Sequence, residues 1–245
     1  MPLAKYFKAG QKVSLHALPN DAPGLPFIDS LTCYLLDAGR GYLDLRLPYR
    51  VAPGEEYPFT DGMPFELFSD AMGMGIRLTG TFEKKLAASR IRIKHNSDLT
   101  MVKRRLSPRC DVNIEVGCTR SQGKLLSFRR QWEKNARALS HATDLSKMPK
   151  FPRSNVNLSA NGIGMMVKLP VEPADIFMLL INLDDEKPSI CALGEVVWFS
   201  KREVEGQHKT GFQFLNILES DQQRLAAYVE TKNSYVPETE EEEEQ

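Results

Sequence analysis

The chain predicts a mainly β protein built as two small antiparallel β-barrels in tandem, the second carrying an inserted helix and a closing C-terminal helix. Three observations carry this. Short runs in both halves alternate apolar with polar residues, Gly, Pro and Asp punctuate those runs, and only two stretches, 128–143 and from 220 onward, read as helix.

In the first hundred residues Val13 and Leu15 alternate with polar neighbours. Leu43, Leu45 and Leu47 alternate with Asp44 and Arg46, and Ile91 and Ile93 sit between Arg90, Arg92 and Lys94. A strand turns successive side chains to opposite faces, so a period of two marks strands with one buried face. Residues 37–41 and Asp61-Gly62 supply turns, while 21–24 and Pro53-Gly54 mark loops. A barrel of about six strands fits this pattern. The join to the next unit falls near 97–102. Further strands follow at 110–116, 162–168, 177–183, 192–199 and 210–215. Residues 128–143, rich in Arg, Ala, Gln and Leu, read as a helix inserted between the first two of these strands. Ser220, with Gln223 three residues on, reads as a capping box, and Leu225, Tyr228 and Val229 give the apolar stripe of a terminal helix. The expected division is 1–100, 101–232 and a disordered acidic tail, 233–245.

Composition bounds the function. With 42% hydrophobic and 26% charged residues the chain is neither disordered throughout nor a membrane bundle. Lys and Arg (32) balance Asp and Glu (32), but six Glu lie at 238 and 240–244; without them the body carries 32 basic against 26 acidic residues, or +6. A Glu run buries no apolar surface and reads as a solvated tail; its one active role would be competition with an anionic ligand. Cys33, Cys110, Cys118 and Cys191 form no CxxC pair and have no metal-ligand spacing to the histidines, so reduced structural thiols are expected, with no metal or cofactor. The start carries no signal-peptide pattern, and the apolar run 176–181 is far short of the ~20 residues needed to cross a bilayer. A cytoplasmic protein is expected. GxSxG, HExxH and P-loop motifs do not occur. The glycines of Ala71-Met-Gly-Met-Gly75 lack a third partner, Leu78 standing there, and read as a turn; no enzyme is expected.

Charge concentrates after the join. Residues 101–137 hold ten basic and three acidic side chains, and 103–109 reads Lys-Arg-Arg-Leu-Ser-Pro-Arg. Guanidinium forks match phosphate oxygens and the guanine O6/N7 edge and stack on bases, and Pro108 disfavours helix at Ser107, so these arginines belong on an extended loop. A second cluster, Asn157-Leu-Ser-Ala-Asn-Gly162, reads as a polar turn entering a strand, where Gly162 allows a tight turn or close ligand approach.

Together Arg105-x-x-x-Arg109 and Asn157-x-Ser159-x-x-Gly162 resemble the RxxxR and (D/N)xSxxG signatures of the PilZ domain family. The sequences Gly194-Glu-Val-Val-Trp198 and Thr210-Gly-Phe-Gln-Phe214 are similar to its later strands, and 1–100 resembles the N-terminal barrel of flagellar-brake type members. The resemblance implies a six-stranded barrel that binds the bacterial second messenger cyclic di-GMP. It implies that Arg105 and Arg109 grip phosphates and guanine edges, that Arg104 adds charge and stacking, and that Asn157 and Ser159 address the other guanine and its phosphate. Gly162 would keep the turn open, and Trp198 would lie near the ligand or serve as a core aromatic; Met165 and Met166 read as core. Two departures stand out: the interval from Arg109 to Asn157 is long, and Asn at 157 offers one acceptor oxygen where Asp offers two. The expected protein is a cyclic di-GMP effector whose basic loop closes on the dinucleotide. That closure would alter the domain arrangement to regulate motility, surface attachment and biofilm, or exopolysaccharide machinery through a protein target. The alternatives are a nucleic-acid binder, disfavoured by the concentration of charge near one linker, and a ligand-free scaffold.

Overall fold

The computed structural model describes residues 5–18, 26–49, 54–71, 73–104, 107–121, 125–168 and 170–234. The loop at 21–24, Pro53, Arg105 and the acidic run fall outside the described residues.

Two closed six-stranded antiparallel barrels follow one another. The first consists of β1 (Lys12–Ala17), β2 (Phe27–Gly39), β3 (Tyr42–Arg46), β4 (Pro64–Ala71), β5 (Met74–Ala87) and β6 (Arg90–His95). Its strand order is β1-β4-β5-β6-β3-β2, closed by the pairing of β2 with β1. A short β7 (Thr100–Val102) pairs along β5. The alternation legible in the sequence is the inward face: Val13, Leu15, Leu43, Leu45, Ile91 and Ile93 are all completely buried.

The second barrel consists of β8 (Cys110–Arg120), β9 (Arg153–Ser159), β10 (Gly162–Val167), β11 (Ile176–Asn182), β12 (Ile190–Val204) and β13 (Gln207–Leu218). Its order is β13-β10-β9-β8-β11-β12, closed by β12 with β13. Its interior holds Ile114, Leu158, Ile163, Phe177, Leu179 and Phe212, and helix α2 (Glu219–Ser234) lays Leu225 and Val229 on that core. The helix begins at Glu219, whose N–H donates to Pro26 O (3.1 Å), so Ser220 lies in the first turn rather than at the cap. Helix α1 (Leu125–Ser140) is the insertion between β8 and β9. It starts three residues before the expected 128 because Leu125 is buried, and it ends where Ala142 N–H bonds Leu139 O.

The expected turn at 157–162 is mostly strand. Asn157 to Ser159 complete β9, only Ala160 and Asn161 turn, and Gly162 opens β10. Asn155, Asn157 and the buried Ser159 leave just Val156 and Leu158 as apolar residues of the interior, which hides this strand from an apolar-run reading. Among the described residues no helix is long and apolar enough to cross a membrane. The four cysteines are unpaired, and burial pushes the Cys191 thiol up to about 12, which keeps it protonated and structural.

The barrels meet along a seam. Phe27, Ile28 and Asp29 of β2 pair antiparallel with Leu218, Ile217 and Asn216 of β13, so one ladder runs from barrel to barrel. Helix α1 fills the angle beside it: Trp132 is 1% exposed, donates to Cys191 O (2.9 Å) and packs on Phe27. Asp29 accepts from Arg129, from Tyr57 (2.7 Å) and from Asn216 (3.2 Å), and Arg129 stacks on the Tyr57 ring. Glu195 of β12, also 1% exposed, accepts from Tyr49 of the first barrel (3.0 Å); burial pushes its carboxyl up, opposed by the charge of Lys12.

Candidate functional site

The antiparallel register brings distant residues into one transverse row on the outer face of the second barrel. Asp111 of β8 lies opposite Asn157 of β9, Asn157 opposite Gly164 of β10, Gly164 opposite Gly211 of β13, and Gly211 opposite Trp198 of β12. Side chains bound the row at both ends, and two glycines form its floor. The Asn157 amide donates to Asp111 Oδ1 (2.9 Å). At the other end Trp198, 44% exposed, lies over Gly211, where a Cβ would come within 2.1 Å of the indole nitrogen. Trp198 is therefore an exposed aromatic face and not a core residue; a bulge between Val196 and Trp198 turns it outward.

An open cleft of about 440 Å³ lies along this face, lined by Asp111, Asn113, Asn155, Asn157, Gly164, Met166 and Lys209 among others. Met165 is core, as expected, but Met166 is half-buried and faces the cleft, because adjacent residues of a strand point to opposite sides. Asn113 donates to Asn155 (2.7 Å) in a second polar rung beside Asp111 and Asn157. Sequence reading missed Asp111, Asn113, Asn155, Gly164, Gly211 and Lys209. The alternations Asp111-x-Asn113 and Asn155-x-Asn157 carried a signal, a polar outer face, but only the register joins them.

Just before β8 the chain is tied to the hairpin between β9 and β10. Ser107 Oγ accepts from Asn161 Nδ2 (3.2 Å), and Asn161 Oδ1 accepts from Gln222 of α2 (2.8 Å), so loop, hairpin turn and closing helix are tied together. Arg109 stands two residues before Asp111, exposed, with no hydrogen-bonded or ionic partner among the described residues. Arg104 points the other way: its Nε donates to Asp70 of β4 (3.0 Å), both side chains being largely exposed. Arg105 lies outside the described residues.

Ser159 and Gly162 take roles the sequence did not suggest. Ser159 is 5% exposed and donates to Gly162 O (3.1 Å), closing the hairpin from within. A Cβ at Gly162 would fall 2.2 Å from Phe212 O, so this glycine allows β10 to sit against β13. Nor is the charge of 101–137 one patch. Arg120 pairs with Asp175 (2.8 Å) and Arg129 with Asp29, leaving Lys103, Arg104 and Arg109 on the loop and Arg130, Lys134 and Arg137 exposed along α1. Among the described residues no cluster of His, Cys, Asp or Glu is arranged to hold a metal.

No curated protein matches the chain. Among solved structures it is similar to the inhibitor of motility MotI/DgrA of Bacillus subtilis, at 15% identity over 93% of this chain and 98% of that one, with a TM-score of 0.37. It is similar also to YcgR of Escherichia coli, solved in complex with c-di-GMP, at 14% identity over 90% and 84% with a TM-score of 0.33. The MrkH–c-di-GMP complex of K. pneumonia aligns at 14% identity over 91% and 90%, with a TM-score of 0.30. The PilZ domain profile matches residues 103–231, from the basic loop through all six strands of the second barrel and nearly to the end of α2. That match spans more than half of the sequence, and the chain belongs to the PilZ domain family.

Proposed function

We propose that the protein is a cyclic di-GMP receptor, with Arg104, Arg105, Arg109, Asn157, Ser159, Gly162 and Trp198 forming the ligand site. The observation that carries this is the row that sets the Asp111–Asn157 pair and the exposed Trp198 face on one side of a PilZ barrel, with exposed Arg109, unpaired among the described residues, two positions before Asp111. Arginine forks take phosphates, the polar rung takes a guanine edge, and an indole face takes a base by stacking. Ser159 and Gly162 act by holding the hairpin that presents Asn157. This is binding chemistry, in which no covalent bond is made or broken.

In this reading the 103–109 loop closes on the dinucleotide, and Arg104 exchanges Asp70 for a ligand phosphate. The first barrel stands where flagellar-brake type proteins carry their N-terminal barrel. Loop closure shifts the arrangement of the two barrels by at most the difference in ligand affinity between the states. The output is a contact with a protein partner of motility, surface attachment or exopolysaccharide machinery, in the cytoplasm.

Calorimetric titration of cyclic di-GMP into the wild type and into Arg105→Ala/Arg109→Ala, with GTP as control, tests the reading. Saturable binding by the wild type alone is expected. A charge-assisted hydrogen bond is worth roughly 1.5–3 kcal/mol, so Arg109→Ala alone should weaken binding about tenfold to a hundredfold. Unchanged affinity in Arg109→Ala at moderate salt would overturn the assignment. No heat from a folded wild type, with tight and steeply salt-dependent binding of single-stranded nucleic acid, would favour the basic segment as a polyanion site instead.

A further inference from the structure

We infer that Asp111 is a specificity-determining residue of the site, reading guanine jointly with Asn157; this rests on the proposed receptor function. Position 157 is the Asp-or-Asn position of the family signature, and an amide alone offers one acceptor oxygen. The structure supplies the second from the next strand. A carboxylate only accepts, so the 2.9 Å contact fixes the amide with Nδ2 toward Asp111 and Oδ1 turned away from it. Among the described residues neither Asn157 Oδ1 nor the other Asp111 oxygen has a partner. Both residues line the open cleft, Asp111 exposed and Asn157 half-buried.

The pair thus offers two acceptors from adjacent strands, Asn157 Oδ1 and the second Asp111 oxygen, with the Asn157 amide nitrogen between them. Guanine offers two adjacent donors, N1–H and the exocyclic amine, and matches them. Adenine places a ring acceptor at N1 and is mismatched. The pair also orders the site before binding, since the Asn157 amide cannot flip without losing its bond to a charged partner. Lys209 lines the same cleft and offsets the carboxylate charge toward an anionic ligand.

The test titrates cyclic di-GMP and its inosine analogue, which lacks the exocyclic amine, into the full chain. The wild type should prefer the guanine form by about tenfold to a hundredfold, the span of one charge-assisted hydrogen bond. Asp111→Ala, with its circular dichroism unchanged, should bring the two affinities within a few-fold of each other. Asn157→Asp alone sets two carboxylates side by side and should weaken binding, whereas Asp111→Asn/Asn157→Asp rebuilds a carboxylate–amide pair and should restore the preference. A wild type that binds without preference, or a folded Asp111→Ala that keeps it, overturns this role and leaves the receptor reading standing. A wild type that binds neither dinucleotide overturns the receptor reading itself.

Discussion

Two glycines of the second barrel separate structural from ligand-facing roles at single positions. At Gly162 an added Cβ meets a backbone carbonyl, Phe212 O at 2.2 Å, which moves only if β13 moves. At Gly211 it meets the indole of Trp198, an exposed side chain free to swing into solvent. Overpacking without relief costs roughly 1–3 kcal/mol, so Gly162→Ala should lower the melting temperature by several degrees. Gly211→Ala should leave the melting temperature within about a degree or two of the wild type, while displacing Trp198 and changing its fluorescence and its response to cyclic di-GMP. Calorimetric melting and emission spectra of the two variants check this. Equal destabilisation would mean that Trp198 is locked in place and its face unavailable for stacking. The motif letters Asn157, Ser159 and Gly162 were legible in the sequence, but the division of labour among them was not. That Ser159 turns inward to Gly162 O follows from a two-residue hairpin that no spacing rule reveals.

Elements were legible where one face met a core and the other met water. The runs around Val13, Leu43, Ile91 and Ile114 alternated cleanly for that reason. β2 did not, because Ser30, Leu31, Thr32 and Cys33 are all buried, the strand lying partly between the barrels. In β12 bulges near Gly194 and Trp198 break the period of two. Helix α2 carries its own pH dependence. Asp221 in its first turn is half-buried, and loss of solvent pushes its carboxyl up to about 6 against the favourable charge of Arg224, which makes its closer contacts with Asp185. A carboxyl raised in the folded state favours folding while protonated, and that contribution fades as pH rises through 4 to 6. Asp221→Asn should therefore gain stability above pH 6, on the order of 1 kcal/mol because the helix N-terminus already favours the charge, with no gain below pH 4. Urea titrations at pH 4 and pH 7.5 check it. The loop before β8 gives a second test: the exposed Arg104–Asp70 pair is worth at most about 1 kcal/mol. Asp70→Asn should release Arg104 and tighten cyclic di-GMP binding by up to about fivefold; weaker binding would place Asp70 on the ligand side of the exchange.

Over the whole molecule the two barrels are not beads on a linker. The apolar cluster inside the first barrel continues through Leu125, Trp132 and Ala136 of α1 onto Ile176, Met178, Cys191, Leu193 and Leu215, which lie on the outside of the second barrel. The insertion, unreadable from sequence as to role, is the wedge that makes the seam continuous. Unfolding should accordingly be one cooperative transition, with calorimetric and van't Hoff enthalpies equal. Trp132→Ala removes a fully buried ring and its bond to Cys191 O, which should cost roughly 3–5 kcal/mol and split or broaden the transition. The same seam sets what a ligand can do. Any change in the angle between the barrels must strain the Phe27–Leu218 ladder, the Arg129–Asp29 pair and the Trp132 contact together, so under the proposed function a dinucleotide held by a few arginines should move the wild type only slightly. Small-angle scattering with and without cyclic di-GMP should therefore show a small shift in the wild type and a larger one in Trp132→Ala, whose seam resists less. A large shift in the wild type alone would mean that the ligand works through α1, with Trp132 as part of the lever rather than part of the brake.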